Sequence, residues 1–375
     1  MPSPQIRVRF ATNRNPVRGR SLFGNQFRDD GPAHYVTGSV DVARLSNLPD
    51  TGWSPDTQSL EIDKPVERLA DVATAPAGGA GAGATPARGI LKFAEERMAS
   101  EERDVFAAGG AQFGLVLLPG FASTFLDSMR RAAQVAHAYG TDNVFCFSWP
   151  ANGVVDLDNY RLDRDDAKAS APAMANALAQ LFALLQRVEE GRRPKLHLVA
   201  HSMGVFALRH AVQQIRAEQP QLIEQRVFHT ALLMAGDEDD DALADENRLR
   251  PLLKLAHRVA IYCCGSDIPL GISQGLGAIG ARLGHRGPRA WDHLPDEGVE
   301  LVDCSDVATT HDDFGRTHFG HQYYRLSPRV VSDVVQVLAG RAPRQIGGRM
   351  PDPRGSQDGR AFLLPFNAEA GVPIA

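Results

Sequence analysis

The chain has 375 residues, 43% hydrophobic and 23% charged, and its 40 Lys+Arg against 45 Asp+Glu leave a formal charge of -5. Those fractions exclude a wholly disordered or collagen-like chain, and the mild acidity offers no basic stripe for nucleic acid. No run approaches the roughly 18 apolar residues that span a bilayer. The opening stretch Met1–Phe10 lacks the apolar core of a signal peptide, so a cytoplasmic chain is expected. Four cysteines, Cys146, Cys263, Cys264 and Cys304, lie in apolar stretches and read as buried reduced thiols rather than a disulfide framework.

In chain order, residues 1–72 read as an N-terminal β extension. Ile6–Phe10 and Tyr35–Val42 alternate like strands, with a Gly/Asn/Pro-rich segment between them. Residues 73–111 begin with ATAPAGGAGAGATPARG, whose composition is that of a linker, followed by a short helical segment. The body, residues 112–340, alternates strand and helix signals. Strands are expected at Phe113–Leu118, Asn143–Ser148, Lys195–Ala200, Phe228–Ala235, Val259–Cys264 and Val299–Asp303. Helices are expected from Thr124 to Tyr139, on the Met174–Val188 periodicity, over Val205–Ile215, over Leu249–His257 and over Pro328–Leu338. Residues 341–375, rich in Arg, Gly and Pro, read as a C-terminal tail. Repeated β–α units predict an α/β fold with a mostly parallel sheet covered on both faces by helices. Ligands bind beyond the carboxyl ends of such strands, so chemistry is sought there.

One of those ends carries Ala200-His201-Ser202-Met203-Gly204, between a strand and an amphipathic helix. A sharp strand–turn–helix bend needs small residues two before and two after a central serine, and it pushes the hydroxyl clear of the sheet. The string alone is weak, since a serine there also reads as a helix cap; its setting makes Ser202 the candidate nucleophile. A serine hydroxyl needs a base and the base an orienting carboxylate. Asp267, after the strand ending at Cys264, is the candidate acid, with Asp237 of the acidic run 237–241 as its competitor. That run otherwise reads as a solvated face or helix N-terminus. His321 is the candidate base, ahead of His318 and His311, while His201 reads as structural. The N–H groups of Met203 and Phe121 are the candidate oxyanion donors, with Ala122 in reserve.

Pro119-Gly120-Phe121, Phe147-Ser148-Trp149-Pro150, Ala200–Gly204, Ser266-Asp267 and Gly320-His321-Gln322-Tyr323, together with the opening Phe10–Pro16, resemble an uncharacterised bacterial α/β-hydrolase family of serine esterase/lipase type. The resemblance implies an α/β-hydrolase fold and a triad of Ser202, Asp267 and His321. It departs at Pro119, where the family usually has the histidine of His-Gly-Phe. The expected function is a serine hydrolase cleaving small-molecule esters or thioesters through an acyl-enzyme. A non-catalytic scaffold of the same fold and an acyltransferase using the same triad are the alternatives.

No cofactor is expected. Gly275-Leu-Gly277-Ala-Ile-Gly280 matches a dinucleotide fingerprint in letters but follows no strand directly and has no βαβ unit around it. His311-Asp-Asp313 and His318-x-x-His321 are possible ligands, but the latter lacks the helical His-Glu-x-x-His context, and no metal is expected either. Segment 151–173, between a strand and a helix, reads equally well as a lid over the pocket or as a solvated excursion.

Overall fold

A computed structural model describes residues 4–48, 52–63, 113–186, 195–275, 280–295, 297–311, 318–355 and 359–366. The segment read as a linker, Val188, the centre of the Gly275–Gly280 string and Asp312-Asp313 lie outside the described residues.

Six strands build the centre: β7 (Phe113–Leu118), β8 (Val144–Ser148), β9 (Lys195–His201), β10 (Thr230–Met234), β11 (Val259–Cys263) and β12 (Val299–Asp303). They run parallel in the order β12-β11-β10-β9-β7-β8. The N-terminal piece supplies β1 (Gln5–Thr12), β2 (Arg14–Pro16), β3 (Phe23–Phe27), β4 (Val36–Arg44), β5 (Trp53–Pro55) and β6 (Glu61–Ile62). Its β1 lies parallel beside β8 and antiparallel to β4, so it widens the same sheet, while β2 and β3 form a separate ribbon.

At the opposite edge the residues read as a tail instead add β13 (Met350–Pro351) and β14 (Ala361–Leu363), the latter parallel to β12. The reason is electrostatic: Arg349 is buried and pairs with Glu300 at 2.8 Å and Asp333 at 2.6 Å, which holds the segment on the sheet.

The long helices are α1 (Phe125–Tyr139), α2 (Leu157–Ala169), α3 (Ala171–Gln186), α4 (Met203–Glu218), α5 (Ile268–Gly275) and α6 (Pro328–Leu338). Thr124 caps α1 through a reciprocal contact with Asp127, and Gly140 ends it in the left-handed conformation. Along the inner strands, alternate residues feed opposite faces. Val116, Leu118 and Leu198 pack with Leu178 and Phe182 of α3 and Val205 and Leu208 of α4. Leu115, Leu117 and Val199 pack with Met129 and Ala133 of α1 and Val330 and Val334 of α6. Each such side chain contributes about 1.5–3 kcal/mol by leaving water.

The helix expected over 249–257 shrinks to Leu252–Leu255. Arg248 is drawn into ion pairs with Asp239 and Asp241, and Leu249 N–H bonds back to Ala242 O, so residues before Pro251 turn rather than coil. Among the described residues, no helix is long and apolar enough to cross a membrane. All four cysteines are buried and free.

Candidate active site

Ser202 stands between the end of β9 and the start of α4 with φ 55° and ψ −124°, a conformation that non-glycine residues avoid. Three backbone bonds hold it there. Its N–H donates to Met234 O at 2.9 Å, and its carbonyl accepts from Val205 at 3.0 Å and from Asp237 at 3.0 Å. The strain therefore persists because the neighbouring strand and the helix over-determine it. Gly204 has no room for a side chain: a Cβ there would stand 2.4 Å from Leu118 O and 2.8 Å from Pro119 O. Gly120 is equally constrained, since its Cβ would meet the Ser202 Cβ at 2.8 Å. The turn after β7 and the bend after β9 thus touch backbone to backbone. Met203, as the first residue of α4, brings an N–H that the helix itself leaves unpaired.

Asp267 follows β11 and is 1% exposed. Its Oδ2 lies 2.7 Å from His321 Nδ1, and its Oδ1 accepts the Leu270 N–H of α5 at 3.0 Å. Because the carboxylate can only accept, Nδ1 carries the imidazole proton and Nε2 is left as the basic nitrogen. The loop bearing His321 is anchored beside the acid, where Phe319 O accepts the Ile268 N–H at 3.0 Å. Phe319 and Gly320 both have positive φ, 54° and 72°, which turns the chain back toward the sheet.

His201, next to the serine, is buried; its Nε2–H donates to His321 O at 3.1 Å and its ring stacks on Tyr324 at 4.3 Å. Burial, reinforced by the neighbouring His321, pushes its pKa well below the usual imidazole range, so it stays neutral. The sequence reading of His201 as structural missed that it grips the backbone of the candidate base. That contact joins residues 120 positions apart and leaves no local pattern to read.

The competing acid has different company. Asp237 accepts from Tyr160 Oη at 2.8 Å and Ser273 Oγ at 2.6 Å, and it pairs with Arg164 at 3.3 Å and Arg282 at 3.2 Å. The acidic run is not a solvated face: Asp237, Glu238 and Asp240 are buried, and Arg209 pairs with Glu238 at 3.1 Å. Of the other candidate bases, His318 uses its backbone to bond Thr310 and His321, and His311 is exposed.

Around the first turn, Trp149 Nε1 donates to Pro119 O at 3.1 Å, and Ser123 Oγ donates to Gly120 O at 2.7 Å. Ala122, at φ 52°, gives its N–H to Asp163 at 3.0 Å, which removes the reserve donor. Phe121 packs edge-on against Tyr160 at 5.6 Å. Segment 151–173 is therefore mostly α2, and its Tyr160, Asp163 and Arg164 all reach toward the site.

Residues 111–341, more than half of the chain, match the family described as alpha/beta hydrolase of unknown function (DUF900). The chain belongs to that family. A stretch of 71 residues is 38% identical to an uncharacterized protein, alr1448, of Nostoc sp. (strain PCC 7120); it covers 18% of this chain and only 16% of that protein's length. Among solved structures, a dienelactone hydrolase from Anabaena variabilis is similar with a TM-score of 0.32 and 14% identity, over 62% of this chain and 86% of that one. The family match and the parallel sheet with helices on both faces agree with the α/β-hydrolase fold expected from the sequence.

Proposed function

We propose that the chain is a serine hydrolase of carboxylic esters or thioesters, with Ser202, His321 and Asp267 as its triad. The observation that carries this reading is the contact of the buried Asp267 with His321 at 2.7 Å, tied through His201 to a serine held in a strained bend. Ser202 Oγ bonds to the carbonyl carbon while its proton passes to His321 Nε2. The carbonyl oxygen, now an anion, takes the N–H groups of Met203 and Phe121. The bond to the leaving alcohol or thiol breaks, and Nε2 returns the proton to it. Water repeats the sequence on the acyl-enzyme, releasing the acid and restoring the hydroxyl. Asp267 keeps the imidazole in the required tautomer throughout.

Two exposed apolar side chains stand next to the acid and the base: Ile268, which follows Asp267, and Phe319, two residues before His321 and bonded through its carbonyl to the Ile268 N–H. They favour a substrate whose acyl part is apolar and uncharged. A fluorophosphonate probe tests the nucleophile: the wild-type protein takes up label and Ser202→Ala does not. Unlabelled wild-type protein, or label retained in Ser202→Ala, overturns the reading. A graded series of nitrophenyl esters then ranks acyl length, with kcat/KM expected to rise from acetate to medium chains.

A further inference from the structure

The turn that carries the proposed second oxyanion donor is braced from a distant part of the chain. Arg14, the first residue of β2, is 0% exposed, and its guanidinium is spent on neutral oxygens. Nε donates to Ser148 Oγ at 3.1 Å; Nη1 donates to Gly24 O at 2.9 Å, Ala151 O at 3.1 Å and Asn25 Oδ1 at 3.2 Å; Nη2 donates to Ser123 O. Two of these acceptors, Ser123 and Ala151, lie just past the ends of β7 and β8, where the site is built.

Ser123 is the link. Its carbonyl receives Arg14, and its hydroxyl donates to Gly120 O at 2.7 Å and is within 3.3 Å of Phe121 O. With Trp149 on Pro119 O and Asp163 on the Ala122 N–H, the polar groups of the turn are engaged one after another. The Phe121 N–H stays outside that network. Desolvation alone argues that Arg14 does more than fill space. A buried cation with no carboxylate in contact is costly to keep. Burial lowers its pKa to about 9, against which the charge of Asp163 acts. The cost would vanish with an apolar residue of similar length, at the loss of the fork of donors that spans Ser123, Ser148 and Ala151.

We infer that Arg14 is a positioning residue of the site, which with Ser123 holds the Pro119–Ser123 turn so that the Phe121 N–H remains where the oxyanion forms. The residues matched to the family begin at 111, so this brace comes from outside them. The inference rests on the Ser202 reading, and the experiment separates the two.

Wild type, Arg14→Lys, Ser123→Ala and Arg7→Gln are compared by fluorophosphonate labelling, ester kinetics, inhibition by a trifluoromethyl ketone, and thermal unfolding. Arg7 lies on β1 and, among the described residues, pairs with Asp41 and Glu61 at the surface, so Arg7→Gln controls for perturbing the extension. Loss of one oxyanion donor costs about 10²–10³ in kcat. Arg14→Lys is expected to approach that loss and Ser123→Ala to lose about tenfold, with KM within about threefold and the ketone's Ki rising in step with the fall in kcat/KM. Arg7→Gln keeps wild-type kinetics. Folded Arg14→Lys with unchanged kcat, whatever its melting temperature, overturns the inference while leaving Ser202 labelled. If Arg14→Lys does not fold, Ser123→Ala decides: unchanged kcat and Ki overturn the brace. Wild-type protein that takes up no label overturns both readings.

Discussion

Asp237 and Asp267 occupy equivalent places in the fold, just beyond neighbouring parallel strands, and are 2% and 1% exposed. Their partners divide them. Asp237 is enclosed by two arginines, a tyrosine and a serine, an arrangement that neutralises a buried carboxylate and ties α2, α5 and the β10 loop together. Asp267 faces one imidazole and one helix amide, which leaves its charge directed at a group able to exchange a proton. Position beyond a strand therefore admits a carboxylate to the site, while the chemistry of what faces it decides between holding the fold and orienting a base.

The largest effects test whether the Asp267 side works as a unit. Ser202→Ala and His321→Ala are each expected to lower kcat by about 10⁶, with the double variant losing little more. Additive losses, measured by steady-state ester kinetics, would break the triad assignment. Next comes the contrast itself. Asp267→Asn should cost about 10⁴ in kcat by presenting the wrong tautomer, whereas Asp237→Asn should stay within about tenfold of wild type. A reversal of that order would exchange the two roles.

Stability should run the other way. Asp237→Ala strands Arg282, which is itself 0% exposed and then retains only Asp239 and Ser273, and removing one partner of a buried pair costs about 3–5 kcal/mol. Denaturant unfolding of Asp237→Ala should show that loss, while Asp267→Asn should unfold near the wild-type midpoint. Equal losses in both variants would erase the proposed division between fold and chemistry.

The same division marks what could be read from the sequence. The strand–bend–helix around Ser202 and the parallel sheet follow short-range patterns of apolar runs and small residues, and both were legible; chain order singled out Asp267 and His321 as candidates, which the structure brings within 2.7 Å of each other. The partners of the arginines were not legible. Nothing local tells that Arg14 will bond Ser123, that Arg349 will bind Glu300 and Asp333 and carry a supposed tail onto the sheet, or that Asp237, Glu238 and Asp240 of the acidic run will be buried and the run met by arginines. Each depends on a charge finding an opposite charge or a carbonyl far away in the chain. From the sequence, the acidic run reads as a solvated face or helix N-terminus and the Arg-rich segment after residue 340 as a tail.

The smallest expected effect concerns pH and separates the histidine side of the site from the acidic cluster. His201 is held neutral: burial and the nearby His321 push its folded pKa well below the ordinary 6.5. As pH falls through 6.5, the unfolded chain takes up a proton on this residue that the folded one refuses. Its contribution to stability is thus intact above that pH and is lost on acidification. Glu238, the second residue of the acidic run, has the opposite sign, because burial, ahead of its arginine partner Arg209, raises its pKa above the ordinary 4.5. Its carboxylate costs stability at neutral pH, and acid relieves that cost as it protonates. Melting curves at a series of pH values should show that His201→Gln, which keeps a donor for His321 O, flattens the fall below pH 6.5. Glu238→Gln should steepen the net fall by removing the compensating gain. If His201→Gln leaves the acid slope of wild type unchanged, the neutral imidazole is not what makes this side of the site acid-sensitive, and the grip of His201 on His321 must be judged by kinetics alone.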